Sequence, residues 1–254
     1  MFVLGALSFC FWPSKGVEYV ELATGLTRAM ERDPTSFDAE RLASMTPAKF
    51  VEWLPGVAWP LVERRSGALV ELGCALAAHG GSADAWVRES GASAARLVDL
   101  VRARLPMFRD ECATDAFEGG PVYFYKRAQI LAADVWAACG RKSSGFGGFA
   151  DADKLTCFAD YRVPQLLRDM GVLVYSPELA LVVDSLAELE PGSEFETDIR
   201  ACTVAAVELL RDAAARGADG KAFTAVEIGW MLWHKGEATL GDLRPHHRTR
   251  THLY

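Results

Sequence analysis

Apolar residues recur at helical spacing along most of the chain. Such runs predict helices over residues 61–78, 93–104, 122–139, 199–217 and 222–233. Alternation typical of strands is weak, and its best example is the short segment 172–176. The pattern therefore predicts an all-α protein, a compact helical domain with at most short strand elements. We expect residues 1–254 to form a single domain.

Local signals predict where several helices begin. Thr46 and Ser176 each precede a proline, the order expected of an N-cap followed by the first helical position. Ser193 and Glu196 have the S-x-x-E spacing of a capping box, and the run that follows ends at Gly217. The apolar face of that run is expected to consist of Ile199, Cys202, Ala206, Leu209 and Ala213.

The segment LTCFADYRVPQLLRDMG, residues 155–171, places a carboxylate between an apolar turn and a proline. It predicts a helix, a short break, and a second helix that begins near Pro164 and stops at Gly171. Asp160 would lie at or just before the start of the second helix. The structural explanation is a carboxylate that interacts with the helix dipole; a catalytic role is the alternative.

Composition and charge narrow the class of protein. Of 254 residues, 50% are hydrophobic and 24% charged, which is a globular balance, and the formal net charge is −7. Polyanion-binding proteins carry an excess of basic residues, so no stable complex with nucleic acid is expected. A single nucleotide needs only a few cationic side chains and stays possible as a ligand.

The cysteines and the apolar stretches indicate in which cellular compartment the protein is expected. The six cysteines are scattered without a CxxC pair, as expected of free thiols in a reducing compartment. The opening MFVLGALSFCFWP lacks both a basic region before it and a small-residue cleavage site after it. No stretch reaches the roughly 18 apolar residues of a membrane span. We therefore expect a soluble, cytoplasmic protein without a membrane partner; the sequence leaves the oligomeric state open.

Three groups of residues carry candidate chemistry, and each has a structural alternative. Lys126 and Gln129 lie within a mostly apolar predicted helix. They either form a stripe that faces solvent or contact a ligand. The C-terminal run HHRTRTHLY is either a basic tail or a phosphate site. Trp230 and Trp233 either fill the core or stack on a planar base. The histidine spacing matches no standard metal site, and no nucleotide-cofactor motif occurs, so neither metal nor cofactor is expected.

Six ordered motifs together resemble the queuosine salvage protein family, the queuosine 5′-phosphate N-glycosylase/hydrolases. In chain order they are SFCFW, PLVERRSGALVELG, FYKRAQILAADVW, LTCFADYRVPQ, EFETDIRACT and HHRTRTHLY. The resemblance covers essentially the full chain. It implies an all-helical protein, similar to helix-hairpin-helix DNA glycosylases, that hydrolyses queuosine 5′-monophosphate and releases queuine for salvage into tRNA modification.

The same kinship implies a role for Asp160. Helix-hairpin-helix glycosylases carry a catalytic aspartate in a D-x-x-V run that leads into a helix ending in glycine, and the run from Asp160 to Val163 has this form. Breaking an N-glycosidic bond develops positive charge on the sugar, which an adjacent carboxylate stabilises. The resemblance thus implies that Asp160 is the catalytic residue.

The leaving base implies further contacts. Queuine is a 7-deazaguanine and lacks the N7 atom that purine glycosylases protonate. Catalysis is therefore expected to depend more on stabilisation of the sugar cation and on hydrogen bonds to the remaining edge of the base. The residues expected to line the base pocket are Phe158, Tyr161, Arg162, Phe9, Phe11, Trp12, Trp230 and Trp233. The residues expected near the 5′-phosphate are Lys126, His247, Arg248 and Arg250.

The chain departs from the family pattern at two places. Members carry a longer segment before the SFCFW-like motif, which begins here at Ser8, so either this branch lacks that segment or the sequence is incomplete there. Members also tend to have an acidic residue before the aromatic pair near 230, where this chain has Gly229, and Glu227 is a possible substitute. Two other functions therefore stay open: a glycosylase that acts on a flipped base in nucleic acid, and a non-catalytic queuosine-binding protein.

Overall fold

The computed structural model describes residues 1–14, 16–112, 120–217 and 222–254. Within these ranges, twelve α-helices and one two-stranded antiparallel sheet confirm the prediction of an all-α protein with short strand elements. The helices are α1 Phe2–Leu7, α2 Tyr19–Arg32, α3 Ala39–Ala43, α4 Pro47–Trp53, α5 Val62–Ala78, α6 Ala83–Glu89, α7 Ala94–Arg104, α8 Lys126–Ala138, α9 Arg162–Asp169, α10 Pro177–Asp184, α11 Glu194–Gly217 and α12 Ala225–Ala238. The strands are β1 Glu111–Cys112 and β2 Val122–Tyr123.

The chain divides into two compact units. The first consists of Met1–Arg109, Ile130–Ala150 and Thr251–Tyr254. The second consists of Asp110–Gln129 and Asp151–Arg250. The expectation that residues 1–254 act as a single domain stays a prediction.

Helix α5 is the central element of the first unit, and α1, α3 and α4 pack against it. Gly73 makes the contact with α3 possible, because a Cβ atom at this position would lie 2.3 Å from the backbone nitrogen of Ala43. Any larger residue at position 73 would force the two helices apart.

The second unit is built around α9, which packs against α11 and α12. The residues of their shared buried core are Cys157, Val163, Leu166, Leu167, Leu173, Val207, Ala225, Ile228 and Leu232. This core holds α9 in place. The segment that precedes α9 is therefore fixed where it joins the helix.

Several sequence-based predictions are confirmed, whereas segments 122–125 and 172–176 differ from the prediction. Helices α5 and α7 match the predicted ranges, and the side chains of Thr46 and Ser176 cap α4 and α10. The helix predicted over 122–139 begins only at Lys126, because residues 122 and 123 pair with β1. Residues 172–176 are not a strand: among the described residues no partner strand lies beside them, and β-branched residues alone do not form a sheet.

The helix predicted over 199–217 is present and ends at Gly217, but it begins earlier, at Glu194, and the prediction is wrong in detail. The capping box does not form, because the carboxylate of Glu196 accepts instead from the backbone of Gly192 and from Arg200. The predicted apolar face is also wrong, since Cys202 and Leu209 are exposed. Glu196, Arg200 and Thr203 are buried in its place with Ile199 and Val207. The buried face of α11 is thus partly polar.

Among the helices of the described residues, none has the length and the uninterrupted apolar character that a membrane crossing requires.

Candidate active site

Asp160 lies at the end of a non-helical segment that leads into α9. A 3-10 helix, Ala152–Lys154, precedes this segment, so the α-helix predicted upstream is wrong. The predicted second helix is confirmed: α9 begins at Arg162, with Pro164 in its first turn, where a missing N–H costs nothing. The Oδ1 atom of Asp160 accepts a 2.8 Å hydrogen bond from the backbone N–H of Arg162. The carboxylate therefore does stabilise the start of α9, as the structural explanation requires.

The carboxylate also has a cationic partner. The Nζ atom of Lys126 lies 3.5 Å from Oδ2 of Asp160, and the two side chains are only 6% and 14% exposed. Lys126 is the first residue of α8, not an interior one. Burial lowers the pKa of Lys126, the charge of Asp160 opposes that shift, and Arg127 and Arg200 add to it. A helix start needs no buried ammonium, so capping alone does not account for this pair.

Gln129 fixes the segment before Asp160. Its Nε2 atom donates to Oγ1 of Thr156 at 2.9 Å, and its Oε1 atom accepts from the backbone of Thr156 at 2.8 Å. Gln129 lies one helical turn after Lys126 on α8. The two residues therefore connect α8 to both ends of the segment from Thr156 to Asp160.

Helix α12 approaches the Asp160 segment through two glycines. A Cβ atom at Gly229 would lie 3.2 Å from that of Cys157, and one at Gly236 would lie 3.1 Å from the side chain of Arg162. Trp230 places its ring edge-on to that of Phe158, with 6.5 Å between the centroids. Two predicted base contacts are thus neighbours, and Phe158 is two residues from Asp160 along the chain.

The position of the missing acidic residue has a different environment in this chain. Gly229 faces Cys157, and the Cβ atom of any other residue there would lie 3.2 Å from the Cβ atom of Cys157, so a carboxylate would require a small local adjustment. The carboxylate of Glu227 accepts from the backbone and the hydroxyl of Thr224 in a capping box of α12. Glu227 therefore already has a structural role at the start of the helix.

Tyr161 and Arg162, which follow Asp160, are both buried. The ring of Tyr161 stacks on His246 with 4.5 Å between the centroids. The guanidinium of Arg162 pairs with Glu237 at 2.5 Å and donates to Gln165. Burial lowers the pKa of His246 to about 4, although Asp160 opposes the shift. At neutral pH this imidazole is therefore uncharged.

The C-terminal run alternates between buried and more exposed residues. His247 and Thr249 are buried, whereas Arg248 and Arg250 occupy the other face, as expected of an extended segment. Arg250 pairs with Glu188 at 3.3 Å on the surface. Burial lowers the pKa of His247 to about 3, so it would meet a phosphate as a neutral group. The phosphate contacts of this run stay predictions.

Phe9, Phe11 and Trp12 belong to the first unit, where Arg65 organises the segment that carries them. The Arg65 guanidinium lies 4.5 Å from the ring centroid of Phe9 and 5.8 Å from that of Phe11. It also donates to the carbonyl oxygens of Leu7, Phe9 and Cys10. Their contact with a base stays a prediction, as does that of Trp233, which packs against the core of the second unit.

Sequence reasoning missed three residues that bond to the neighbours of Asp160, namely Asp110, Arg200 and Glu237, and it considered His246 only as part of the C-terminal run. Arg200 could have been found from its spacing with Glu196 and Thr203, which places three polar residues on one face of α11. The side chains around Asp160 offer a fixed anion, an aromatic pair and a neutral imidazole. Such a set can stabilise a cationic transition state beside a planar group. In the part of the chain that the structure describes, no group of three potential metal ligands converges.

Comparison with known proteins supplies independent information. A family model described as "Queuosine salvage protein" matches residues 1–254. A protein of Dictyostelium discoideum is 42% identical over 253 residues, which cover 99% of this chain and 76% of that protein. One from Sphaerobacter thermophilus is 39% identical, with 99% and 80% covered, and one from Mus musculus is 33% identical, with 100% and 81% covered. Each of the three is named queuosine 5′-phosphate N-glycosylase/hydrolase.

Proposed function

The chain belongs to the queuosine salvage protein family, and we propose that it hydrolyses the N-glycosidic bond of queuosine 5′-monophosphate. The products are queuine and ribose 5-phosphate. The names of its relatives support the reaction. The observation that carries the proposal is the buried pair of Asp160 and Lys126.

Asp160 stabilises the transition state in this mechanism. The bond from C1′ to the glycosidic nitrogen breaks, its electron pair stays with the base, and positive charge spreads over C1′ and O4′. A carboxylate that is held in place stabilises this cation without having to reorganise. Water then adds to C1′, and the proton it loses balances the one that the base gains. Queuine has no N7 to protonate, so the reaction depends on the carboxylate.

Lys126 supports the carboxylate in this proposal. The contact between Lys126 and the 5′-phosphate, expected from the sequence, stays a prediction. The backbone N–H of Arg162 donates to Oδ1 of Asp160, and the ammonium of Lys126 lies near Oδ2, so each oxygen has a donor beside it. These contacts fix the rotation of the carboxylate. An oriented anion is what a developing oxocarbenium ion requires.

The remaining parts of the substrate, the base and the 5′-phosphate, are bound by two different groups of residues. Phe158 and Trp230 are suited to the faces and edges of a planar base. Arg248 and Arg250, which share one face of an extended segment, are suited to the 5′-phosphate. We place the reaction in the cytoplasm, a location supported by the six free cysteines.

The test is incubation of the purified protein with queuosine 5′-monophosphate, queuosine nucleoside and queuosine-containing tRNA in parallel. Chromatography then measures free queuine. We expect release from the monophosphate and little from the other two. Release from tRNA that falls steeply with added salt would favour the nucleic-acid glycosylase instead. Tight binding of the monophosphate without release would favour a non-catalytic queuosine-binding protein.

A further inference from the structure

Arg200 is a buried cation at the centre of the second unit. It is 2% exposed, on the polar face of α11. Its Nη1 and Nη2 atoms donate to the two carboxylate oxygens of Asp110, at 2.9 and 2.5 Å. Its guanidinium lies 4.0 Å from the ring centroid of Phe124, and Nη1 also reaches Glu196 at 3.2 Å. This fork geometry fixes the plane of the guanidinium.

The Nε donor of Arg200 reaches the segment that carries Asp160. It donates to the carbonyl oxygen of Ala159 at 2.9 Å. Ala159 is the residue directly before Asp160, so this bond fixes the peptide from which the carboxylate side chain departs. A shift of that peptide would move the carboxylate with it.

Asp110, which Arg200 binds, also holds the backbone of Lys126 in place. Its Oδ2 atom accepts from the backbone N–H of Lys126 at 3.1 Å. Its own carbonyl oxygen accepts from the backbone of Phe124 and Tyr125 at 2.9 and 3.2 Å. Arg200 therefore reaches Asp160 through Ala159 and Lys126 through Asp110. One guanidinium sets the positions of both members of the pair.

We propose that Arg200, together with Asp110, is a positioning residue that holds Lys126 and Asp160 in their reactive arrangement. This inference rests on the proposed function. A buried ion pair is a weak source of stability, because desolvation offsets most of its attraction, and apolar side chains often serve as well. Precise orientation, in contrast, needs a rigid group with several directed donors, which lysine lacks. Small displacements of a catalytic group are costly, since a shift of about 1 Å can lower a rate by about 10²-fold.

Arg200→Lys is the informative variant, because it keeps the charge and removes the fork. The second unit offers a matched control in Arg168, which is also buried. Arg168 binds both oxygens of Asp184, at 2.7 and 2.9 Å, and lies 4.6 Å from the ring centroid of Tyr175. Arg168→Lys therefore makes the same chemical change at a site without a contact to Asp160 or Lys126 among the described interactions.

The experiment measures kcat and KM for queuosine 5′-monophosphate, with the melting temperature of each variant. We expect Arg200→Lys to lower kcat by about 10-fold to 100-fold with less than about a threefold change in KM. Arg168→Lys should keep kcat within about threefold of the wild type. Asp110→Asn, which retains one acceptor, should also lower kcat more than it raises KM.

The outcomes separate the inference from the proposed function. A wild-type protein that releases no queuine contradicts the function. A wild-type protein that is active, with a folded Arg200→Lys variant of equal kcat, contradicts the inference alone. If Arg200→Lys does not fold, Asp110→Asn decides, and unchanged kcat there overturns the proposal. Equal losses of kcat in the Arg200 and Arg168 variants would also overturn it, because the role would then be structural.

Discussion

Replacing Asp160 with asparagine removes one charge and little else. The new side chain in Asp160→Asn keeps an oxygen that can accept from the backbone N–H of Arg162, so the start of α9 should persist. The negative charge opposite Lys126 is lost. The substitution therefore tests the electrostatic role of the carboxylate separately from its contribution to local structure.

The contacts of Asp160 give the expected magnitude. A unit charge about 4 Å from a developing cation contributes about 4 kcal/mol at an effective dielectric constant of about 20. Loss of a comparable transition-state contact costs roughly 2.7–4 kcal/mol, or about 10²- to 10³-fold in kcat.

The same substitution should change how stability depends on pH. Lys126 would lose its counter-ion, and burial already lowers its pKa, so the pKa in the folded variant should fall further. Between that lowered value and the ordinary one, the unfolded state binds more protons than the folded state. The variant should therefore lose stability, and this loss should shrink as pH rises through that window.

The assay follows queuine release at saturating substrate and thermal unfolding at two pH values. Asp184→Asn is the control, since it removes the carboxylate that binds Arg168 and leaves Asp160 untouched. We expect the control to retain kcat within about twofold of the wild type. A folded Asp160→Asn variant with near-normal kcat would refute the electrostatic role of this carboxylate.

Three further predictions concern the phosphate, the buried histidine and metal. Queuosine nucleoside should have a kcat/KM at least about 10-fold below that of the monophosphate, and Arg250→Ala should reduce this difference. The melting temperature of the variant should not change, because the surface ion pair of Arg250 contributes little to stability. Equal kcat/KM for both substrates would argue against a phosphate site. Since the pKa of His247 is about 3 in the folded state and 6.5 is its ordinary value, the unfolded state binds more protons between these values. Stability should therefore fall by about 1.4 kcal/mol per pH unit from this residue as pH drops through that window, and urea unfolding of His247→Gln should show a shallower pH dependence. EDTA should leave activity unchanged, because departure of the base through an oxocarbenium ion needs no Lewis acid. Inactivation by EDTA that zinc reverses would instead indicate that the C-terminal histidines bind a metal.

The helices could be predicted because their signals are local. Helix α5 has an apolar face at regular spacing, and the Thr46-Pro47 and Ser176-Pro177 pairs mark helix starts within a few residues of sequence. The position of Asp160 before α9 followed from a proline and a glycine nearby in the chain. The prediction of a strand over 172–176 was wrong because strand formation depends on a partner strand that the local sequence does not reveal.

The surroundings of Asp160 could not be predicted in the same way. Asp110 and Arg200 are 90 residues apart, and no local pattern relates them. The interpretation of α11 assumed that a buried face is apolar, whereas ionic groups occupy it because they satisfy one another. Family resemblance identified Asp160 as a candidate, and only the fold revealed Lys126 beside it.

The stoichiometry of the reaction with queuosine 5′-monophosphate tests whether the protein hydrolyses this nucleotide and whether Asp160 catalyses the step. Queuine and ribose 5-phosphate are measured together over time, with the wild-type protein and with Asp160→Asn. We expect the two products to appear in equal amounts with the wild type and at least about 100-fold more slowly with the variant. Intact monophosphate after prolonged incubation with the wild type, or equal rates for both proteins, would contradict this expectation.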